Sequence, residues 1–529
     1  MPTRNHRPVL IIGAGLAGCI AALRLADLGI ESTVIAATTV PRNANSWLAQ
    51  GGIIYTSGEA DDAQKLEKDI TTAGHSLNLS DAVSFLAQQG PGAVRDMLMR
   101  RVQVPFDTES DHKALDLTRE GGHSAKRIAH CADHTGLTIM ETLLPQVKSN
   151  PAITYQEGYT AIDLLTSHHQ TKGLYYRYQL ENQCCGAYVL NEATDEVETM
   201  LADVTILATG GAGQVYLHSS NAPTAIGSGI AMASRAFVRL MNMEYMQFHP
   251  TTLFHLEPKR FLITEALRGE GARLFNAKGE YFMKGKDPRE DLAPRDIVSR
   301  VIVDELLSSG EPCVFLDLSE VKHIEERFPT VLQSCLDRGI DIRSEPIPVV
   351  PAAHYFCGGI LVDRHGRSSL SRLYAIGECS CTGLHGSNRL ASTSLMEAVL
   401  WGKTAAEDIA ARLGPKNLDF LAPMPDLLAE IEDWFPSGDE HNDDPALIAQ
   451  DWATIRNTMW NYVGITRTTP RLTRAFEDLR DLSRHLHNFY RSTPLSRPIV
   501  DLFHGCQTAY LITQSALRNK RNIGCHHRI

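Results

Sequence analysis

Three glycines carry the first legible chemistry. Gly13, Gly15 and Gly18 stand at G-x-G-x-x-G spacing directly after the apolar run Val9–Ile12. Gly13 permits a tight turn, Gly15 lets a pyrophosphate approach the backbone, and Gly18 lets helix and strand pack closely. Phosphates can then rest on N–H groups at the helix N-terminus, beside Ala14, Leu16 and Ala17. An acid usually ends the second strand of such a unit and holds ribose; here the region reads Ala36-Ala37-Thr38, so the ribose must be held otherwise. Two later stretches return to nucleotide chemistry. Val204–Ala208 runs into Thr209-Gly210-Gly211-Ala212-Gly213, and Leu373–Glu378 ends in Gly-Glu, whose carboxylate can accept from ribose hydroxyls. Asn45–Gly52 and Thr118–Ser124 are polar at their glycine ends and read as loops, the first near the cofactor. Glu265 and Arg268 stand at i and i+3, together on one helical turn.

These groups need a scaffold. Val9–Ile12 is short enough for a buried strand. Ala21, Ala22, Leu25 and Leu28 predict one apolar helix face, Gly29 a stop, and Thr33–Ile35 a second strand. Residues 60–104 predict surface helices, and 152–190 the strands of a small sheet. Residues 243–355 carry most of the remaining polar histidine and arginine motifs, which predicts an inserted domain and a discontinuous nucleotide domain around it. Pro415, Pro423, Pro425 and Pro436, with Gly438–Asp444, predict a linker whose acidic end is a solvated loop. Residues 447–520 predict a helical C-terminal domain.

A chain of 529 residues is too long for one core and implies two to four domains. A net charge of −11 argues against a nucleic-acid surface. No apolar run approaches the ~18–20 residues that span a bilayer, and the first eight residues lack a signal-peptide core, so a cytoplasmic protein with no membrane partner is expected. Eleven scattered cysteines fit reduced thiols, and neither Cys184–Cys185 nor Cys379-x-Cys381 has partners at metal spacing, so no metal is expected.

Together the motifs resemble the flavoproteins of the succinate dehydrogenase and fumarate reductase group over nearly the whole chain. The matching stretches are the Gly13–Gly18 fingerprint, AQGG at 49–52, ATGGAG at 208–213, FHPT at 248–251, TEALRGEGA at 264–272, PRD at 294–296, HY at 354–355, GE at 377–378 and GLHGSNRLASTSL at 383–395. The resemblance implies an α/β protein: a discontinuous Rossmann-like FAD-binding domain (1–242 and 356–420), an inserted α+β capping domain (243–355) and a C-terminal helical domain (421–529). It places FAD against Gly13, Ala14, Gly15, Leu16, Ala17, Gly18, Thr38, Asn45, Ser46, Trp47, Ala49, Gln50, Gly51, Gly52, Ala208, Thr209, Gly210, Ser228, Glu378, Arg389, Ser394 and Leu395. Membrane-bound members carry a flavin-linked histidine where this chain has Asn45, so non-covalent FAD is expected.

The narrower resemblance is to those members that oxidise L-aspartate, which MWNYVGITRTTPRL at 459–472 also matches. Succinate and fumarate enzymes carry Phe-Gly-Gly where this chain has Glu120-Gly121-Gly122. An acid there would repel a plain dicarboxylate but suits one that also carries an ammonium group. Arg389 can grip a carboxylate bidentately, and His249, His354 and Thr264 can donate to the carboxylates. The resemblance gives the proton role to Arg295, with Glu265 and Arg268 as relay. The expected reaction is oxidation of L-aspartate to iminoaspartate, with oxygen (giving hydrogen peroxide) or fumarate as acceptor, as the first stage of NAD synthesis from aspartate. Quinolinate synthase is the expected functional partner, and a monomer or weak homodimer the expected state. A soluble fumarate reductase is the alternative; a covalent succinate dehydrogenase subunit and a non-catalytic flavoprotein rank below it. Three departures stand out: Gly227-Ser228-Gly229 for the group's Gly-Asp-Gly, Thr38 where aspartate-oxidising members often carry lysine, and Arg521-Asn522-Ile523-Gly524 for Glu-Ser-Arg-Gly.

Overall fold

The computed structural model describes residues 4–109, 114–255, 261–413, 424–434 and 444–529. Most of the proposed proline linker, Pro415, Pro423 and Pro436 with residues 438–443, lies outside them. Pro425 lies inside and opens the short helix Pro425–Glu430.

The glycine fingerprint folds as a β–α–β unit. Strand β1 (Arg4–Ile12) leads through Gly13 into helix α1 (Leu16–Asp27), and β2 (Ser32–Ala36) pairs parallel to β1. Successive side chains on a strand point to opposite faces. Accordingly Val9 and Ile11 enter one hydrophobic core, with α1 and the helix Thr393–Leu413, while Leu10 and Ile12 enter another, shared with the C-terminal helices. With both faces covered, β1 reads as a continuous apolar run rather than an alternation. The expected apolar face of α1 needs correcting. The helix is buried nearly all round, from Leu16 through Leu23 and at Leu25, while Leu28 is exposed beyond its end.

The main sheet runs Ile153–Glu157, β2, β1, Glu196–Leu207, Cys184–Asn191, Tyr159–Thr166, with Leu373–Ala375 also pairing with Glu196–Leu207. The expected small sheet at 152–190 is therefore corrected. Ile153–Glu157 extends the main sheet parallel to β2, and the two strands at the other edge join it antiparallel. The return of Leu373–Ala375 to this sheet, from beyond residue 355, makes it discontinuous in sequence.

Between these strands lies a second, antiparallel sheet: Met246–Leu253, Ile347–Phe356, Val314–Asp317, Arg273–Phe275. The helix Arg295–Ser309 packs on it around Val298 and Ile302. A three-stranded ribbon pairs Ile128–Ala129 with both Ile53–Ile54 and Leu117–Thr118, which brings the Glu120 loop beside Gly51 and Gly52. Three long helices follow, Pro445–Val463, Thr469–Ser492 and Arg497–Arg518. Asp444, in the predicted acidic loop, caps the first by accepting from Ala446 N at 2.9 Å. Where the Glu-Ser-Arg-Gly motif is replaced, the tail runs back through Gly524 and Cys525 against Ser387, and His527–Arg528 pairs with Thr466–Arg467. Among the described residues no helix is long and apolar enough to cross a membrane. All eleven cysteines are free and buried.

Candidate active site

A cavity of about 520 Å³ runs from the β1–α1 turn to the antiparallel sheet, within the range of small-molecule and cofactor sites. At its nucleotide end the glycines are required by contact. A Cβ on Gly13, whose φ is +118°, would lie 2.2 Å from Ala208 O; one on Gly18 would lie 2.1 Å from Gly13 O. The α1 N-terminus opens here, with Leu16 N donating to Ser46 Oγ at 3.0 Å. Ala208, Thr209, Gly210 and Ser228 line the same wall, Ser228 opening the helix Ser228–Arg235.

Asn45–Leu48 forms one short helical turn before the glycine loop Ala49–Gly52. Asn45 Nδ2 donates to Glu378 Oε2 at 3.0 Å while its Oδ1 accepts from Ala222 N at 2.7 Å. Glu378 Oε1 accepts from Phe356 N at 3.0 Å, and burial pushes its carboxyl above the ordinary value. Of the expected cofactor residues, Gly18 lies behind the turn as a packing residue, and Trp47 packs half-buried against the α1-side core rather than lining the cavity. Thr38, Ala49, Gln50, Ser394 and Leu395 line it. Among the described residues four buried polar atoms of the cavity lining, Gln50 Oε1, Thr209 Oγ1, Asn221 Oδ1 and Arg389 Nε, have no hydrogen-bond partner in the protein. A dinucleotide with polar edges fits that wall.

The other end is cationic and closely tied. Arg295, the first residue of its helix, donates from Nε to Glu265 Oε2 at 2.6 Å and from Nη1 to Gln247 Oε1 at 3.1 Å. Arg268 Nη2 lies 3.8 Å from Glu265 Oε1, so the i, i+3 pair does meet. Arg268 is buried behind Glu265, outside the cavity lining, and burial pushes its pKa down. Burial alone would raise Glu265, but the Arg295 and Arg268 charges outweigh it and hold the carboxyl at about 2.

Arg389 precedes the Thr393–Leu413 helix. Its guanidinium lies 4.4 Å over the Tyr355 ring and donates from Nη1 to Ser394 Oγ at 3.2 Å. Burial, then Arg295, lowers its pKa. The Tyr355 hydroxyl donates to the buried Glu397 at 2.9 Å. His249 and His354 sit with ring centroids 5.1 Å apart, and burial followed by Arg295 drives both well below the ordinary histidine pKa, so both are neutral. His249 Nδ1 lies 3.2 Å from Thr251 N and 3.0 Å from Thr251 O. The tautomer that accepts the amide proton carries its own on Nε2. His354 Nδ1 meets Ser220 Oγ at 2.9 Å.

Glu120 reaches this end from the ribbon. Its Oε2 accepts from Ser392 Oγ at 2.6 Å, and a Cβ on Gly51 would stand 2.6 Å from its Oε1. Ser392 is held at φ +57°, left-handed for a non-glycine, three residues after Arg389. Glu120, His249, Thr264, Glu265, Arg295, His354 and Arg389 thus line one cavity end. Gln247, Tyr355, Ser392 and Ser220 were not predicted. Gln247 was findable: strand alternation puts it on the same face as His249. The strain at Ser392 has no sequence signal.

Residues 8–395 match the FAD binding domain family, and the chain belongs to it as an FAD-dependent oxidoreductase. Its fold is that of the fumarate reductase flavoproteins. It superposes on the FrdA chain of an E. coli quinol fumarate reductase variant with a TM-score of 0.85, at 26% identity over 100% of this chain and 92% of that one. A Mycobacterium smegmatis Sdh1 structure gives 0.79 at 27%, over 99% and 89%.

Within that class the chain belongs to the L-aspartate oxidases. It is 42% identical to the L-aspartate oxidase of Pseudomonas aeruginosa, covering 100% of this chain and 96% of that protein. For the Yersinia pestis L-aspartate oxidase the figures are 42%, 98% and 95%, and for that of Halobacterium salinarum 38%, 98% and 96%.

Proposed function

We propose that this protein oxidises L-aspartate to iminoaspartate, passing the electrons to oxygen, which gives hydrogen peroxide, or to fumarate. The observation that carries this reading is that Glu120, an acid besides the Arg295-bound Glu265, lines the same cavity end as Arg389, Arg295 and two neutral histidines. Arg389 binds one carboxylate; His249 from Nε2, His354 and Thr264 donate to the carboxylates; Glu120 accepts from the ammonium group. When bound, FAD supplies the two-electron acceptor for the hydride leaving the substrate carbon. Arg295 takes the accompanying proton and returns it along Glu265 and Arg268. Arginine is a poor base, with a pKa above ~12. Burial lowers the pKa of Arg268, the far member of that row, against the pull of the Glu265 charge. Asn45 holds Glu378 instead of bonding to the flavin, so FAD is non-covalent. Residues 243–355 act as the capping domain, between the 1–242 and 356–420 parts of the FAD domain, with 421–529 as the helical domain.

The reaction is the first step of NAD biosynthesis from aspartate in the cytoplasm. Iminoaspartate hydrolyses readily in water, so rapid use by quinolinate synthase follows functionally. A soluble fumarate reductase would use the same cations without needing Glu120. Anaerobic mixing with L-aspartate, D-aspartate and succinate, followed by flavin absorbance, tests the proposal. Bleaching by L-aspartate is expected; bleaching by succinate but not L-aspartate overturns it.

A further inference from the structure

The acid absent from the end of β2 leaves the adenosine half of the cofactor without its usual anchor. At that end of the cavity, Thr38 is joined by residues distant in sequence: Tyr159 and Thr160 of the strand Tyr159–Thr166, and Arg497 and Asp501 of the first turns of Arg497–Arg518. Glu192 ties these elements together. It accepts from Thr160 Oγ1 at 2.8 Å and pairs with Arg497 Nη1 at 3.3 Å, and Arg497 Nε reaches Asp501 Oδ2 at 3.4 Å. Gly158, at φ +74°, sits in the same corner: a Cβ there would lie 3.8 Å from Thr39 Cγ2 and 3.9 Å from Glu192 Cβ. Among the described residues four acids line the cavity, Glu120, Glu265, Glu378 and Asp501. The first two serve the cationic end, and Glu378 is held by Asn45 and Phe356. Asp501 is the one carboxylate left for the β2 end.

We propose that Asp501, steadied by Arg497, supplies the carboxylate that β2 lacks and accepts hydrogen bonds from the adenosine ribose hydroxyls of FAD. The helical C-terminal unit is then part of the cofactor site. The Asp501 side chain is 30% exposed, while the next two residues on the helix, Leu502 and Phe503, are buried. Burial raises its carboxyl to about 6 against the Arg497 charge, so hydroxyl donors from a ligand would favour the ionised form. The inference concerns the cofactor alone and stands apart from the choice of substrate.

The test is FAD affinity, read by flavin fluorescence on apo-protein, with the melting temperature of the apo-protein in parallel. Asp501→Ala is expected to raise the FAD Kd about tenfold at an unchanged apo melting temperature, and Asp501→Glu to restore the Kd to within about threefold. A Kd unchanged in Asp501→Ala overturns the proposal. So does a Kd that rises only together with a fallen apo melting temperature. If Asp501→Ala does not fold, the isosteric Asp501→Asn takes its place under the same criteria.

Discussion

Glu120→Gln isolates the one charge on which the choice of substrate rests. Glutamine keeps the shape of the side chain and an oxygen for the Ser392 hydroxyl, which now donates to Glu120 Oε2 at 2.6 Å. Only the charge facing an ammonium group is removed. Two unit charges ~4 Å apart interact by about 4 kcal/mol at an effective dielectric of ~20. Glu120 is half-buried, so solvent screens part of this. About 2–3 kcal/mol remains, or roughly 30- to 150-fold in kcat/KM for L-aspartate. Fumarate has no ammonium group, and its reduction loses nothing when the acid is neutralised. Steady-state kcat/KM for aspartate oxidation and for fumarate reduction by a reduced dye, on the same preparation, gives the comparison. Equal losses in the two assays, or an aspartate loss below about threefold, would refute the assignment of Glu120 to the amino group.

Glu265→Gln removes the acceptor of Arg295 Nε and is expected to slow aspartate oxidation at least ~10²-fold with FAD content unchanged, measured by single-turnover flavin reduction. Lowering the Glu265 carboxyl from 4.5 to about 2 corresponds to about 3 kcal/mol of stability. A depressed folded-state pKa means this is present above pH 4.5 and lost as pH falls towards 2; denaturant melts over that window should decline more steeply for the wild type than for Glu265→Gln. Both substrate-end histidines are held neutral, so kcat/KM for L-aspartate should show no acid limb near pH 6.5 from either, and His249→Asn should leave the pH profile unshifted while lowering its height. Gly13→Ala should yield protein without flavin absorbance, because a Cβ would meet Ala208 O at 2.2 Å in a backbone conformation already unfavourable to alanine. Acid precipitation of the holoenzyme should leave all the flavin in the supernatant, since Asn45 makes its two bonds to Glu378 and Ala222.

What could be read in advance follows how local each signal is. The β1–α1–β2 unit was legible because its glycines act on neighbours within a few residues, and their contacts with Ala208 and with each other bear out the turn. The strands at 152–190 were legible as strands but not as edges of the main sheet, because pairing partners such as Ser32 with Ile153 lie far apart in sequence. Leu28 and Trp47 were placed by helical spacing and motif adjacency, and each turned out to face elsewhere. At the site, residue types were legible and their supports were not. Arg389 stands out in sequence, but its aromatic platform Tyr355 arrives on the distant strand Ile347–Phe356, and Tyr355 is anchored by Glu397 on the helix that Arg389 precedes. Two stretches that reach the same cavity end also meet through a contact that only folding makes. A Cβ on Gly121 would stand 2.4 Å from Glu265 Oε1, so the loop that carries Glu120 rests against the proposed proton relay. The roles proposed for Glu120, at the amino group, and for Glu265, in the proton relay, thus fall on adjoining backbone. A change at Gly121 should disturb both, whereas Glu120→Gln should disturb only the first.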